Sequence, residues 1–288
     1  MKTLSLGYSP CPNDTFIFYA LAHGKVHSDD LSFKEVRLDI ETLNQKALKA
    51  ELDLTKLSYH AFGNLRDEYC LLRSGGALGK GCGPLLVVRS QKPEARSLRN
   101  KKIAIPGELT TAYLLLKLYI ASDPSLAAGQ SPTFISMPFN EIMEAVKKCD
   151  VDAGLIIHES RFTYPSYGLK KVIDLGEWWE KETGLPIPLG CIAAKRSLGE
   201  ELINKIDGLV RESVVYAMTH RDEPRDYIKS HSQELEDKAI CDHINLYVND
   251  LTIDIGEEGI AAVKKLFEIA EEKGIIKNSS NPLFFSET

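Results

Sequence analysis

The sequence predicts an α/β fold built from two similar units, with a mostly helical C-terminal third. Three features of the chain point to it. Up to residue 196, strand-like runs alternate with helix-like runs of about 10 to 15 residues, the pattern of α/β architecture. Two segments follow one plan: NQKALKAELDLTKLSYH (44–60) and NEIMEAVKKCDVDAGLIIH (140–158) each pass from a helix, through a turn containing Asp, into a short strand. Aligning Asp53 with Asp152 sets Tyr59 opposite His158. Beyond Glu200 the apolar residues fall instead on long helical stripes. At 288 residues the chain exceeds what one core usually takes, so two domains or one large α/β domain is expected.

Leu4 to Tyr8 reads as a strand, Asp14 to His23 as a helix stopped by Gly24, and residues 31–39 alternate as a strand. Residues 40–51 set Leu43, Ala47 and Leu48 on one helical face before a short strand at 52–58. The apolar run GPLLVVRS (83–90) precedes a polar stretch, QKPEARSLRN (91–100), that reads as a boundary. Then come a strand in KKIAIPG (101–107), a helix from Thr110 to Ala121, a strand in PTFISMP (132–138), a helix from Asn140 to Cys149, and the strand VDAGLIIHE (151–159). In the last third, Leu202, Ile206, Leu209, Val210, Val214 and Ala217 line one helix. Ile260, Val263, Phe267 and Ala270 line a second, which ends at Gly274. Ligands of open α/β sheets bind beyond the carboxyl ends of strands. Those ends carry Lys56 and Ser58 in the first unit, His158 and Glu159 in the second.

A formal charge of −6, from 41 acidic against 35 basic side chains, argues against non-specific nucleic-acid binding. No run of about 18 apolar residues marks a transmembrane helix. The opening MKTLSLGYSPCPND lacks the apolar core of a secretory signal, so a cytoplasmic location is expected. The six cysteines are scattered without a C-x-x-C pair or zinc spacing, and read as free thiols.

Several stretches invite chemistry. SGGALGKGCGPLL (74–86) fails as a phosphate loop, because Gly79-Lys80 is followed by Gly81, and reads as a flexible turn before a buried strand. HESRF (158–162) lacks the second His of a zinc protease helix, with Phe162 in its place, so no metal is expected. His158 sits at the mouth of a buried strand, where it is either structural or a general base, since imidazole titrates near neutrality. In IPGELTTAYLLLKLY (105–119), Thr110 and Thr111 open a helix after a Pro-Gly turn. They are either plain caps or part of an anion site made by free N–H groups and the helix dipole. In SPCPNDT (9–15) the prolines stiffen a loop before a helix capped by Asn13 or Asp14. Cys11 has no neighbouring cation in sequence to activate it and reads as packing. Trp178 and Trp179 cannot both face the core, so one is a candidate cleft residue.

Together, YSPCPNDTFIFYAL, TKLSYHAF, GPLLVV, PGELTTAYLLL, DAGLIIHESRFTY and DLGEWWEKETGLPIPLG resemble the 1,4-dihydroxy-6-naphthoate synthases of the futalosine route to menaquinone. The resemblance runs from about residue 4 to 196 and weakens in the helical third. It implies a two-lobe, type II periplasmic-binding-protein-like fold with a central cleft and a helical C-terminal region. Residues 1–90 and 191–288 would form the first lobe and 91–190 the second, with GPLLVVRS and CIAAKR as crossings. It implies cleavage of cyclic dehypoxanthine futalosine, a carboxylate, by a cofactor-independent lyase in which His158 is the base. Lys56, Leu57, Ser58, Thr110 and Thr111 fall on substrate-binding positions, with Ser9 and Asn13 as further ligand contacts. The alternatives are a chorismate dehydratase of the same pathway and a solute-binding protein without chemistry.

Overall fold

The period-two runs near the N-terminus become β1 (Lys2–Tyr8), β2 (Leu31–Arg37) and β3 (Leu54–Ser58), with α1 (Pro12–Ala22) and α2 (Ile40–Leu48) between them. The computed structural model describes residues 1–89, 98–127, 131–232 and 236–285. β1 lies between β2 and β3, parallel to both. The sheet is completed from late in the chain. β11 (Ile187–Lys195) runs antiparallel to β3 on one side and to β4 (Tyr69–Leu71) and β5 (Ala77–Gly79) on the other, giving the order β2-β1-β3-β11-β4.

The second sheet contains β6 (Leu85–Val88), β7 (Lys102–Ile105), β8 (Thr133–Ser136), β9 (Ala153–Ile156) and β10 (Lys170–Asp174), in the order β10-β6-β9-β7-β8. The repeated plan in the sequence is a repeat in topology. β3 has a parallel neighbour in β1 and an antiparallel one in β11, and β9 has the same pair in β7 and β6. The aligned aspartates do the same work: Asp53 accepts from Ser5 N at 2.9 Å, and Asp152 from Lys102 N at 2.8 Å. Each ties the turn before its strand to the adjacent strand.

Three expectations change. β6, expected in the first lobe as a crossing, is bonded into the second sheet between β9 and β10. The polar stretch 91–100 falls, in residues 91–97, outside the described residues. The Gly-rich run before β6 is largely buried and held, not loose. Arg161 donates to the carbonyls of Gly83 (2.6 Å) and Gly81 (2.8 Å) while paired with buried Asp174, and a Cβ on Gly83 would lie 2.1 Å from Gly176 N. Leu48 is 47% exposed, because it lies one residue, about 100°, past the face that buries Leu43 and Ala47.

α3 (Tyr59–Gly63) follows β3, α5 (Ile142–Lys148) precedes β9, α6 (Ser160–Thr163) follows it and α7 (Leu175–Thr183) follows β10. Among the described residues, five α-helices follow β11: α8 (Glu200–Thr219), α9 (Arg225–His231), α10 (Asp237–Tyr247), α11 (Asp250–Ile253) and α12 (Gly256–Glu272). α8 buries Ile206, Leu209, Val210, Val214 and Ala217 as its stripe predicts, with Ile203 taking the inner position expected of Leu202. α8 and α10 both pack on α1, so the C-terminal helices back the first sheet.

Candidate active site between the two sheets

The side chains at the carboxyl ends of β3 and β9 meet across a cavity of about 80 Å³. Strand alternation sends Lys56 and Ser58 to its wall and Leu57 to the opposite face. Leu57 is fully buried in the apolar core, so its side chain, an expected substrate contact, does not reach the cavity. Ser58 is fixed by Asn44 on α2, whose amide donates to the hydroxyl at 3.1 Å and accepts from Ser58 N at 3.0 Å.

The SPCPNDT loop supplies the next wall. α1 begins at Pro12, two residues earlier than expected, since a proline's fixed φ and missing N–H suit a first helical position. Neither Asn13 nor Asp14 caps it. Asp14 instead turns back, fully buried, to pair with Lys56 and to accept from the Ser9 hydroxyl at 2.6 Å. Ser9 is therefore occupied with Asp14 and is not among the cavity-lining residues, whereas Asn13 is.

Thr110 and Thr111 open α4 (Thr111–Ser122) beside the cavity. Thr110 is the cap, accepting from Tyr113 N at 3.3 Å and donating to Gly107 O at 2.8 Å. Thr111 donates to Leu189 O at 2.6 Å. The hydroxyls are thus engaged, and what the helix end offers is its dipole and the first-turn N–H groups of Thr111 and Ala112, which have no helical acceptor. Gly107 before this turn has φ +147°, and a Cβ there would lie 2.4 Å from Oε2 of Glu41 on α2. Burial raises the Glu41 carboxyl above its ordinary range. Gly107→Ala is expected to cost about 1–3 kcal/mol through backbone strain and displacement of Glu41, read as a lower urea midpoint.

His158 follows β9 with φ +55°, a left-handed conformation uncommon for a residue with a Cβ. Its ring is packed edge-on against Phe139 at 5.0 Å, and its Nδ1 lies 3.5 Å from Cys11 Sγ. Burial and the nearby Lys56 charge depress its pKa to about 4, so it is neutral at pH 7. Burial pushes the Cys11 thiol well above its ordinary value. Cys11, His158 and Glu159 bring three ligand-type atoms within 4.8 Å of one another.

The structure therefore gathers Asn13, Lys56, Ser58, Thr110, Thr111 and His158 and leaves out Ser9 and the Leu57 side chain. Neither tryptophan lines the cavity: Trp179 is buried, donating to Pro186 O at 3.0 Å, and Trp178 packs on Tyr119. The sequence reading missed His243 and Tyr247, which α10 adds to the wall. A histidine and a tyrosine four residues apart, beside Ala239, Ile240 and Ile244 on an otherwise apolar face, was the available signal.

Two sheets of equivalent strand order with polar residues gathered between their strand ends define a two-lobe, periplasmic-binding-protein-like fold. A Candida albicans protein described as having the generic periplasmic binding protein fold matches it with a TM-score of 0.70 at 15% identity, over 97% of this chain and 92% of that one. The chain belongs to the menaquinone biosynthesis family, whose profile matches residues 4–272. It is 52% identical over 284 residues to the 1,4-dihydroxy-6-naphtoate synthase of Thermus thermophilus, covering 99% of this chain and 100% of that one. It is 46% identical to the Streptomyces coelicolor protein of the same name, over 95% of each.

Proposed function

We propose that this protein is a 1,4-dihydroxy-6-naphthoate synthase: a cofactor-independent carbon–carbon lyase that cleaves cyclic dehypoxanthine futalosine in menaquinone biosynthesis. Two full-length relatives carry that name. The observation that carries the reading is a neutral imidazole, His158, at the edge of a cavity that also holds a helix N-terminus. Proton removal followed by ring opening and aromatisation needs a positioned base and an anchor for the substrate carboxylate. With Nδ1 against the Cys11 thiol, Nε2 is the ring atom left for the substrate. An arriving carboxylate raises the imidazole pKa toward neutrality and so makes it a better base. The start of α4 and Lys56 would hold that carboxylate, and Ser58 and Asn13 would orient the remainder.

We further propose that the lobes cross at residues 80–84 and 184–187, next to β6 and β11, and that the protein works in the cytoplasm. Among the described residues no helix is long and apolar enough to cross a membrane. Incubation with cyclic dehypoxanthine futalosine and, separately, with chorismate, each followed by mass spectrometry, tests the activity. Formation of the dihydroxynaphthoate is expected. Dehydration of chorismate, or tight binding of either compound without turnover, would overturn the proposal.

A further inference from the structure

Among the buried cavity groups that the chemistry above leaves without a task is a histidine on α10. His243 is fully buried and lines the cavity, and its Nδ1 has no hydrogen-bond partner among the described residues. Its tautomer follows from a chain of neighbours. The Asp14 carboxylate, paired with Lys56, can only accept. Asn13 must therefore turn Nδ2 toward Asp14 Oδ1, at 2.8 Å, and its own Oδ1 toward His243 Nε2, at 3.0 Å. An amide oxygen also only accepts, so Nε2 of His243 carries the proton. Burial, with His158 and Lys56 nearby, holds the ring neutral. Nδ1 is thus a bare lone pair fixed in direction, and a buried acceptor without a donor is costly to maintain unless a ligand completes it.

The setting says where a donor would arrive. His158 and His243 both line the cavity, with Asn13 and Lys56 beside them. His158 follows β9 of the second sheet, and His243 stands on α10, which packs on α1 of the first. The two rings face one another across the gap, centroids 6.2 Å apart and planes at 26°.

We infer that His243 accepts, through Nδ1, a hydrogen bond from a hydroxyl of the substrate, and so selects a ligand with a hydroxylated, sugar-derived part over a purely aromatic acid. The inference rests on the activity proposed above. Its test is His243→Gln in the full chain: a glutamine amide can still donate to Asn13 but leaves no acceptor at the Nδ1 position. kcat/KM for cyclic dehypoxanthine futalosine should fall about 10- to 100-fold, mostly through KM. The Kd of naphthalene-2-carboxylate, which has the acid and the rings but no hydroxyl, should not change. Equal loss for both compounds, or loss for neither, overturns the inference. Nitrogen NMR of the histidine-labelled wild-type protein decides it without turnover or a stable variant. The Nε2–H tautomer is expected, with Nδ1 shifting on addition of cyclic dehypoxanthine futalosine but not of the naphthalene acid. A protonated Nδ1 in the free protein, or identical responses to the two compounds, also overturns it. Absence of turnover by the wild type would instead remove the proposed activity and leave the NMR result standing.

Discussion

His158→Ala is expected to lower kcat by about 10² to 10⁴-fold, the contribution of a positioned base. Ligand affinity should stay close to that of the wild type, because the candidate carboxylate anchor lies on α4 and the backbone after β9 is unchanged. The wild-type pH profile provides a second reading. The imidazole has a pKa near 4 in the free protein, below its unfolded value, so it stays neutral from pH 7 down through the mildly acidic range. kcat/KM should therefore hold across neutral pH and fall only as pH drops toward 4, where the ring gains a proton and can no longer accept one. Steady-state kinetics over pH, with ligand titration of the variant, check both statements. A variant with near-normal kcat would remove His158 from the role.

Lys56→Met should destabilise the fold by about 3–5 kcal/mol, the usual cost of leaving one member of a buried ion pair behind. Asp14 is fully buried and Lys56 only 6% exposed, so water cannot replace the lost ammonium group without opening the cavity. The carboxylate also orders Ser9 and Asn13, so its disturbance reaches the loop before α1 and, through Asn13, His243. Adding Asp14→Asn to Lys56→Met should recover part of the loss, because the neutral amide no longer needs a cation. Urea unfolding at unchanged m measures the difference. A loss under about 1 kcal/mol for the single variant would show that the pair is not coupled to stability.

Much of the fold was legible because it is written in local periodicity. The alternation in β1 and the stripe of α8 follow directly from which residues can be buried, and the Asp53–Asp152 echo marked a true topological repeat. The wall residues at the ends of β3 and β9 were legible for the same reason, since strand ends in such sheets face ligands. What stayed hidden depends on contacts between segments far apart in sequence. Cys11 and His158 are 147 residues apart, and Asn13 and His243 are 230 apart. Ser9 read as a ligand contact because nothing local reveals that Asp14 folds back to claim its hydroxyl. Leu57 was assigned by analogy of position, and the alternation of its own strand argues against it.

The placement of β11 has a consequence for how the chain is made. Among the described residues, β4 and β5 have strand partners only in β11, over a hundred residues downstream, whereas every strand of the other sheet lies between residues 85 and 174. On the ribosome, the internal segment can finish its pairing while the flanking half still waits for its central strand. A nascent chain released before Ile187 carries one finished sheet and an open one, and the open edge of β3 is the surface through which such a fragment would misassociate.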